Sequence, residues 1–546
     1  MTQHTETPTA APLDDDEPAF TDEELGAEAR PRMGFGRFIR DIVIILVVLA
    51  GAMFAYNKYV TTKEKVEELA NEARTASKRN DYASLKKGEK LYLEALELDG
   101  DGRVEAALAE NYLFQHSIHG IDTKSKASQH LSAAEAAGAE TPPRFAVAAY
   151  LKIIAGQPEA AEKMIKDLLA QDKSAPALAH ALGWAKMEQG DFVEGLRVMG
   201  SASDADFSAV AYRMTLAEGA HRQGSPKAAI KHLDGIVRPT INSEHQLARA
   251  YLAALRLASY GNLTSPMKHL AELEKIEGEK SPRTQAFEHW AKAELQLSIS
   301  NPKLALEEIA KAKELLADFP PFLGLEARAQ LAQGKADDAI ATYEKAIATK
   351  PLYYGLKWDL AELKSERGDD AALTLVDELE KAQEGTVGPE FEIFRGEHAL
   401  RKNDLEGAKS HFTAAADLGD DPTILLGLAK VAFEEESKKG KRASLDAITE
   451  PLQRAMDAQK YFPEAQELYG DVNLWNYLID GASAAYAEGE KQMKQLKKPI
   501  PEVLAFYDRV IGKLQKAKDR KIRRQTAKLA GEWQQKKKDY IASLAP

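Results

Sequence analysis

The chain has 546 residues, no cysteine, and 73 Lys plus Arg against 85 Asp plus Glu, a formal net charge of −12. Without cysteine there is no disulfide framework, thiolate zinc site or cysteine nucleophile, and no residue to carry the acyl chains of a lipid-anchored lipoprotein. An apolar fraction of 44% with 29% charged residues suits a packed, well-solvated protein whose length alone suggests three or four globular domains.

Residues 1–29 hold nine acids, from Glu6 to Glu28, and no Lys or Arg. Such a stretch cannot bury enough apolar surface to fold, so residues 1–36 are expected to be a disordered acidic tail. Ile42 to Tyr56 follows as an uncharged run, IVIILVVLAGAMFAY. Its helix would rise about 22 Å, and extension to Val60 gives about 28 Å, close to the ~30 Å of a bilayer core. Tyr56 and Tyr59 at one end, and Phe35 and Phe38 at the other, suit the two interfaces, where Lys58 can snorkel. Residues 37–60 are therefore expected to form a transmembrane helix, with Ile42–Val60 in the lipid. A cleaved signal peptide fits less well, because the run lies behind some forty residues with an acidic rather than basic start. Arg30, Arg32, Arg37 and Arg40 before the span, against Lys58, Lys63 and Lys65 after it, place the N-terminus inside and the remainder across the membrane. Beyond it, Val66, Leu69, Ala70 and Ala73 mark one face of a continuing helix, so residues 61–79 are expected to be a helical stalk or first repeat helix.

From residue 80 to about 490 one pattern recurs: an Ala-rich amphipathic stretch, a Gly or Asn turn, and a second stretch. The turn residues are Asn80, Gly120, Gly156, Gly190, Gly224, Gly261, Asn301, Gly334, Gly368 and Asn403, spaced 33 to 40 residues apart. Periods in this range mean stacked repeats, and 34 is the tetratricopeptide length. Pro142, Pro176, Pro239, Pro282, Pro320, Pro351, Pro389 and Pro422 fall between repeats, where helices are expected to stop. In GKADDAIATYEKAIATKP, Ala339, Tyr343, Ala346 and Pro351 occupy the small, aromatic, small and proline positions of the tetratricopeptide motif. NDLEGAKSHFTAAADLGD repeats the offsets with Ala408, Phe412 and Ala415, and Gly396 stands at the first-helix glycine. Leu182-Gly183 and Gly190-Asp191-Phe192 repeat the theme, and Ala161, Ala229, Ala305 and Leu373 take the equivalent small position. The chain thus resembles the tetratricopeptide-repeat family over roughly residues 63–490.

The resemblance implies an all-α fold: a solenoid of about 12 or 13 helix pairs wound into a right-handed superhelix with a concave groove. Family offsets for the groove give Tyr150, His180, Trp184, Met187, Met214, His221, Arg222, Tyr251, Trp290, Arg328 and Trp358. Of these Tyr150, Trp184, Met187, His221, Arg222, Tyr251, Trp290 and Trp358 are the candidate partner-binding residues, as aromatic and Met side chains on an exposed concave face anchor peptides or helices. The family's carboxylate-reading clamp needs Lys at position 5. That position here reads Ala146, His180, Met214, Tyr251, Trp290, Gly324, Trp358 and Ile393, so the clamp is missing.

Residues 491–546 depart from the pattern, with 16 basic and 5 acidic residues. They are expected to form a basic helical cap on the array, with an anionic partner as the functional alternative. Nothing there specifies bases, and the acidic bulk makes nucleic acid a poor partner. No phosphate loop, dinucleotide fingerprint or HExxH motif occurs, and neither catalysis nor a cofactor or metal is expected. His116 and His119 in HSIH, and the Asp99-Gly100-Asp101-Gly102 stretch, read as structural. The expected function is a non-enzymatic protein-docking scaffold, anchored by a single span in a bacterial inner membrane, with a cytoplasmic N-terminus and periplasmic repeats. It would serve an envelope machine for secretion, motility, outer-membrane assembly or wall synthesis. The alternative faces the repeats to the cytoplasm, as an adaptor for a membrane protease or polysaccharide synthase.

Overall fold

Helix α1 (Phe35–Arg79) is the longest element in a computed structural model that describes residues 35–171, 175–260, 263–317, 319–382, 388–439, 445–517 and 519–544. Residues 1–34 of the expected acidic tail and the Gly261 turn lie outside these residues, and Phe35 and Gly36 already belong to α1. The chain divides into two units, Met1–Lys63 and Glu64–Pro546. In the first, Ile45, Leu46, Val47, Val48, Met53 and Phe54 of α1 are all exposed. By length and composition Phe38–Arg79 could cross a membrane.

In the second unit, Val66, Leu69 and Ala73 of α1 bury in one cluster with Leu85 and Tyr92 of α2 (Tyr82–Asp99). Then come α3 (Gly102–Ser117), α4 (Lys124–Ala136), α5 (Pro142–Ile154), α6 (Pro158–Leu169), α7 (Pro176–Glu188) and α8 (Phe192–Ala205). The middle holds α9 (Val210–Arg222), α10 (Pro226–Ile236), α11 (Gln246–Ser259), α12 (Thr264–Lys275), α13 (Pro282–Ser298), α14 (Pro302–Leu315), α15 (Pro320–Ala332) and α16 (Ala336–Thr349). The last third holds α17 (Tyr354–Glu366), α18 (Ala371–Lys381), α19 (Glu390–Arg401), α20 (Leu405–Leu418), α21 (Pro422–Lys438) and α22 (Asp446–Ala458). It closes with α23 (Pro463–Trp475), α24 (Ile479–Gln495), α25 (Ile500–Lys516) and α26 (Arg523–Ser543). Among the described residues there are 26 helices and no strand, which makes an all-α array of helix pairs. From α2 to α12 and from α13 to α26 each helix packs on the next, and first helices such as α3, α5 and α7, or α11 and α13, also touch directly.

The local chemistry accounts for the pairs. The turn inside a pair takes left-handed backbone at Asn80, Gly120, Gly156, Gly190, Gly224, Gly334, Gly368 and Asn403. At the α13–α14 turn the left-handed residue is Ser300 rather than Asn301, a one-residue correction. The prolines between repeats also act differently from expectation. Pro142, Pro176, Pro282, Pro320 and Pro422 start helices instead of stopping them. The first helical residue needs no N–H, and proline's fixed φ is already helical. Ser281 and Asp421 also cap two of these helices through their side chains, and Asp81, Asp191 and Asp404 cap three others.

Small residues sit where helices cross. Ala161, Ala229, Ala305, Ala339 and Ala408 are fully buried, as expected, while in α18 the buried small residue is Ala372 and Leu373 is only half-buried. That helix begins one residue closer to the expected small position than α16 does after Gly334. Phe412 fills the aromatic position against two glycines: a Cβ on Gly427 would lie 2.3 Å from its ring, and one on Gly396 2.9 Å. α25 and α26 form a thirteenth pair around Val503, Phe506, Tyr507, Val510, Leu514 and Trp533.

One feature of the second unit goes beyond a simple stack. Arg79, His119 and Gly190 meet residues 162 to 164 positions later. Arg79 donates to Asn242 Oδ1 at 3.3 Å, and Asn242 Nδ2 donates to Asp81 at 2.8 Å. His119 contacts Ser281 Oγ at 3.2 Å, and Arg283 donates to the Ser117 carbonyl at 2.9 Å. Tyr354 packs its ring on Phe192 and reaches the Gly190 carbonyl. The Gly224 and Gly355 backbones approach so closely that a Cβ on Gly355 would lie 3.3 Å from the Gly224 Cα. With a period of 33 to 40 residues, the coil meets itself after about four and a half repeats. α1 to α9 and α11 to α17 are therefore sewn together along a seam.

Candidate partner-binding site

Closure along the seam fills the inside of the coil with aromatic side chains from successive first helices. Tyr150 of α5 and His180 of α7 contact at 2.5 Å, His180 stacks on Tyr212 of α9 at 4.4 Å, and Tyr150 packs on Trp184. Further along, His221 Nδ1 lies 2.8 Å from the Tyr251 hydroxyl and its ring stacks on Trp290. Phe287 bridges Tyr251 and Phe319, which packs on Tyr353. Burial holds His180 down to about 3, and it holds His221 down to about 4 against the opposing charge of Glu218, so both rings are neutral at pH 7.

The expected row of exposed anchors is therefore corrected for five of its eight members. Tyr150, Met187, Tyr251 and Trp290 are 0, 1, 2 and 3% exposed, and Arg222 is also buried. Trp184, His221 and Trp358 are half-buried. The family offsets found the inward-facing positions, but the tight coil turns most of those side chains into core.

What stays open is a cavity of about 480 Å³ between α7, α9, α11, α13 and the loop from α16 to α17. Trp184, Met187, Arg222 and Tyr251 line it, so it unites four of the eight candidates; Tyr150, His221, Trp290 and Trp358 are not among its walls. Met214, Phe287, Leu352 and Tyr353 complete the apolar surface. Two ion pairs frame it. Arg222 grips Glu188 with both nitrogens, at 2.6 and 3.2 Å, while the Trp184 indole donates to the same carboxylate at 3.1 Å. Arg283 pairs with Glu218 at 3.2 Å. Burial alone would raise the Glu188 carboxyl, but the Arg222 guanidinium outweighs it and holds the pKa below the usual range. Lys350, Thr215 and His116 sit on the rim.

Glu188, Glu218, Arg283, Phe287 and Tyr353 were not singled out from sequence. Glu188 had a usable signal, since it stands 34 residues, one repeat, before Arg222. Arg283 and Tyr353 had none, because the seam that brings them in spans more than a hundred residues. His116 and His119 do not converge: His116 Nδ1 contacts the Ile121 carbonyl, and His119 contacts Asn80 and Ser281. Among the described residues no three His, Asp or Glu side chains gather in a metal-holding group. Asp101 caps α3, so the DGDG stretch is a turn between helices.

Residues 325–385 match a family model described as tetratricopeptide repeat. The chain is similar in structure to the human IFIT1 dimer with PPP-AAAA, at 15% identity and a TM-score of 0.38, over 79% of this chain and 99% of that one. It is also similar to yeast Tom70, at 14% identity and a TM-score of 0.32, over 87% and 97% of the two chains. A tetratricopeptide repeat protein from Parabacteroides merdae matches at 17% identity and a TM-score of 0.25, over 53% and 98%. These likenesses are too distant to carry a ligand or partner over. No curated protein matches the sequence.

Proposed function

We propose that this tetratricopeptide-repeat protein is a non-enzymatic, membrane-anchored scaffold that docks partner proteins through the interior of its coil. The observation that carries the reading is the cavity framed by the Arg222–Glu188 and Arg283–Glu218 pairs. Its walls offer Trp184, Met187, Met214, Phe287 and Tyr353 to an apolar or aromatic side chain, and its rim offers charge and hydroxyl groups to that partner's backbone. The exposed apolar stretch of α1 supports anchoring at Ile42–Val60. The arginines that precede the span favour the N-terminus in the cytoplasm, which would put the repeats in the periplasm, where their partners would belong to an envelope machine of the inner membrane. The competing reading faces the repeats to the cytoplasm as an adaptor.

The basic C-terminus contributes first as the end of the array. Lys536 pairs with Glu490 at 2.9 Å, Lys537 with Asp508 at 2.6 Å, and Trp533 is buried among Tyr486, Phe506 and Tyr507. The exposed Arg523 and Arg524 supply the surface for an anionic partner.

Benzoylphenylalanine placed at Leu352, on the cavity wall, should crosslink a discrete set of proteins in intact membranes. The same probe on the outer face of α16, at Lys345, should not. An alkaline phosphatase fusion after Pro546 should be active; an inactive fusion with a fluorescent cytoplasmic counterpart would transfer the scaffold to the other side.

A further inference from the structure

The N-terminal ends of α5, α7 and α9 line a second cavity, of about 390 Å³, with α1, α2 and α3 on its other sides. Thr141, Ala175 and Ala209 stand at the three helix starts, and none of them makes a side-chain cap. An uncapped N-terminus leaves N–H groups without acceptors and carries about half a positive charge. Three such ends on one cavity make it electropositive, while Tyr92, Phe114, Pro142 and Pro176 give it apolar walls.

Two hydroxyls on this cavity lack partners. Tyr212 is 5% exposed and stacks its ring on His180, and its hydroxyl has no hydrogen bond among the described residues. Thr141 Oγ1 is buried and is also without one. Both residues line the cavity. A buried hydroxyl without a partner is costly, and a ligand that supplies an acceptor removes the cost.

The charged groups facing the cavity reduce to one of each sign. Lys78 pairs with Asp206 at 2.8 Å, and Arg103 with Asp101 at 2.9 Å. Arg74 is exposed, and its guanidinium reaches only Asn71 Oδ1 of its own helix, at 3.5 Å. Glu110 is half-buried and, among the described residues, has no ion pair or hydrogen bond. Burial pushes its carboxyl up to about 7, against the charges of Lys78 and Arg74 and with that of Asp206. Helix N-termini, two hydroxyls and one open guanidinium suit a single negative charge, and the walls suit an apolar body behind it. A second carboxyl group brought beside Glu110 shares one proton with it, since two like charges at one site do not both persist.

We propose that this cavity binds a carboxylate carried on an apolar stem, held at the N-termini of α5, α7 and α9 by Tyr212 and Arg74, with Glu110 contributing the shared proton. Above neutral pH Glu110 takes that proton from solvent as the ligand enters, so binding consumes a proton and weakens as pH rises. A free organic acid and an acidic side chain of a docked protein share this chemistry. The site is separate from the cavity beside Arg222 and does not rest on the scaffold reading.

The test is calorimetric titration of the full chain in detergent with 4-phenylbutanoate, its neutral amide and 4-phenylbutylamine. The acid should bind about tenfold more weakly at pH 8 than at pH 6, and heats in two buffers at pH 8 should show uptake of about one proton. E110Q keeps a donor and removes the titration, so it should bind the acid at pH 8 about as tightly as the parent does at pH 6. Y212F should weaken binding about three- to tenfold, and R74M at least as much. E110Q and Y212F preserve side-chain shape, and unchanged circular dichroism shows that they fold. A Gly/Ser peptide with one central glutamate separates the sources. Affinity close to that of the acid assigns the carboxylate to a docked protein, and binding of the free acid alone assigns a small molecule. An amide that binds as well as the acid, an amine that binds better, weaker binding by E110Q, a pH-independent affinity in the parent, or no binding of either acid would overturn the proposal.

Discussion

Arg283, at the start of α13, donates to the carbonyl of Ser117, at the end of α3, across 166 residues of sequence and 2.9 Å of space. The same guanidinium pairs with Glu218 of α9 and lies over Phe287 and Phe319. One side chain therefore joins two passes of the coil and closes one wall of the cavity.

Replacing Arg283 by Met should destabilise the second unit by about 2 to 4 kcal/mol, because it strips partners from a carboxylate and a carbonyl at a packed junction. Urea unfolding of the full chain measures the loss. Hydrogen exchange should rise first at the ends of α3 and α9. A uniform rise would mean that the seam adds no local stability.

The Arg222–Glu188 pair should show strong coupling. R222M leaves Glu188 without its cation in a half-buried site and should cost about 3 kcal/mol. The double variant R222M/E188M should recover a large part of that, since two apolar groups of similar volume replace a desolvated pair. Additive losses in the double-mutant cycle would contradict the coupling.

Gly427→Ala should be among the more damaging methyl additions in the chain. The new Cβ would meet three ring atoms of Phe412 at 2.3 to 2.5 Å, and Phe412 is fully buried between α19 and α21. A loss of about 1 to 3 kcal/mol is expected, with partial rescue by F412L, which withdraws the ring. Gly512, with nothing near its Cβ direction, is the control and should tolerate alanine.

Acid should loosen the coil before it protonates most carboxylates. Burial holds His119 and His180 down to about 3 and His221 and His245 down to about 4, against an ordinary value of 6.5. The unfolded chain therefore takes up protons first as pH falls, so stability is intact above 6.5 and is lost progressively towards the folded values. Each histidine contributes at most about 1.4 kcal/mol per pH unit in that window. Urea midpoints between pH 7.5 and 5 should fall accordingly, and H180Q should flatten the slope by about one proton. A flat profile in the parent chain would remove the buried histidines as the cause.

The helix pairs were legible because their causes are local. Left-handed turns at Gly156 and Gly334, prolines one repeat apart, and Ala339, Tyr343 and Ala346 at helical spacing act over a few residues each. The inward positions were legible for the same reason: Met187, Arg222, Tyr251 and Trp290 all face the interior. Their fate was not. Whether an inward residue lines an open groove or becomes core depends on how far each repeat rotates on the last, and small rotations add up over four or five repeats until Asp81 meets Asn242 and Ser117 meets Arg283.

By itself the sequence therefore determined an array of tetratricopeptide-like pairs, an apolar stretch long enough to span a bilayer, and the helix face that points inward. Tertiary structure alone decided that the coil closes on itself, that Tyr150 and Trp290 pack as core, and that a cavity survives beside Arg222 and Arg283.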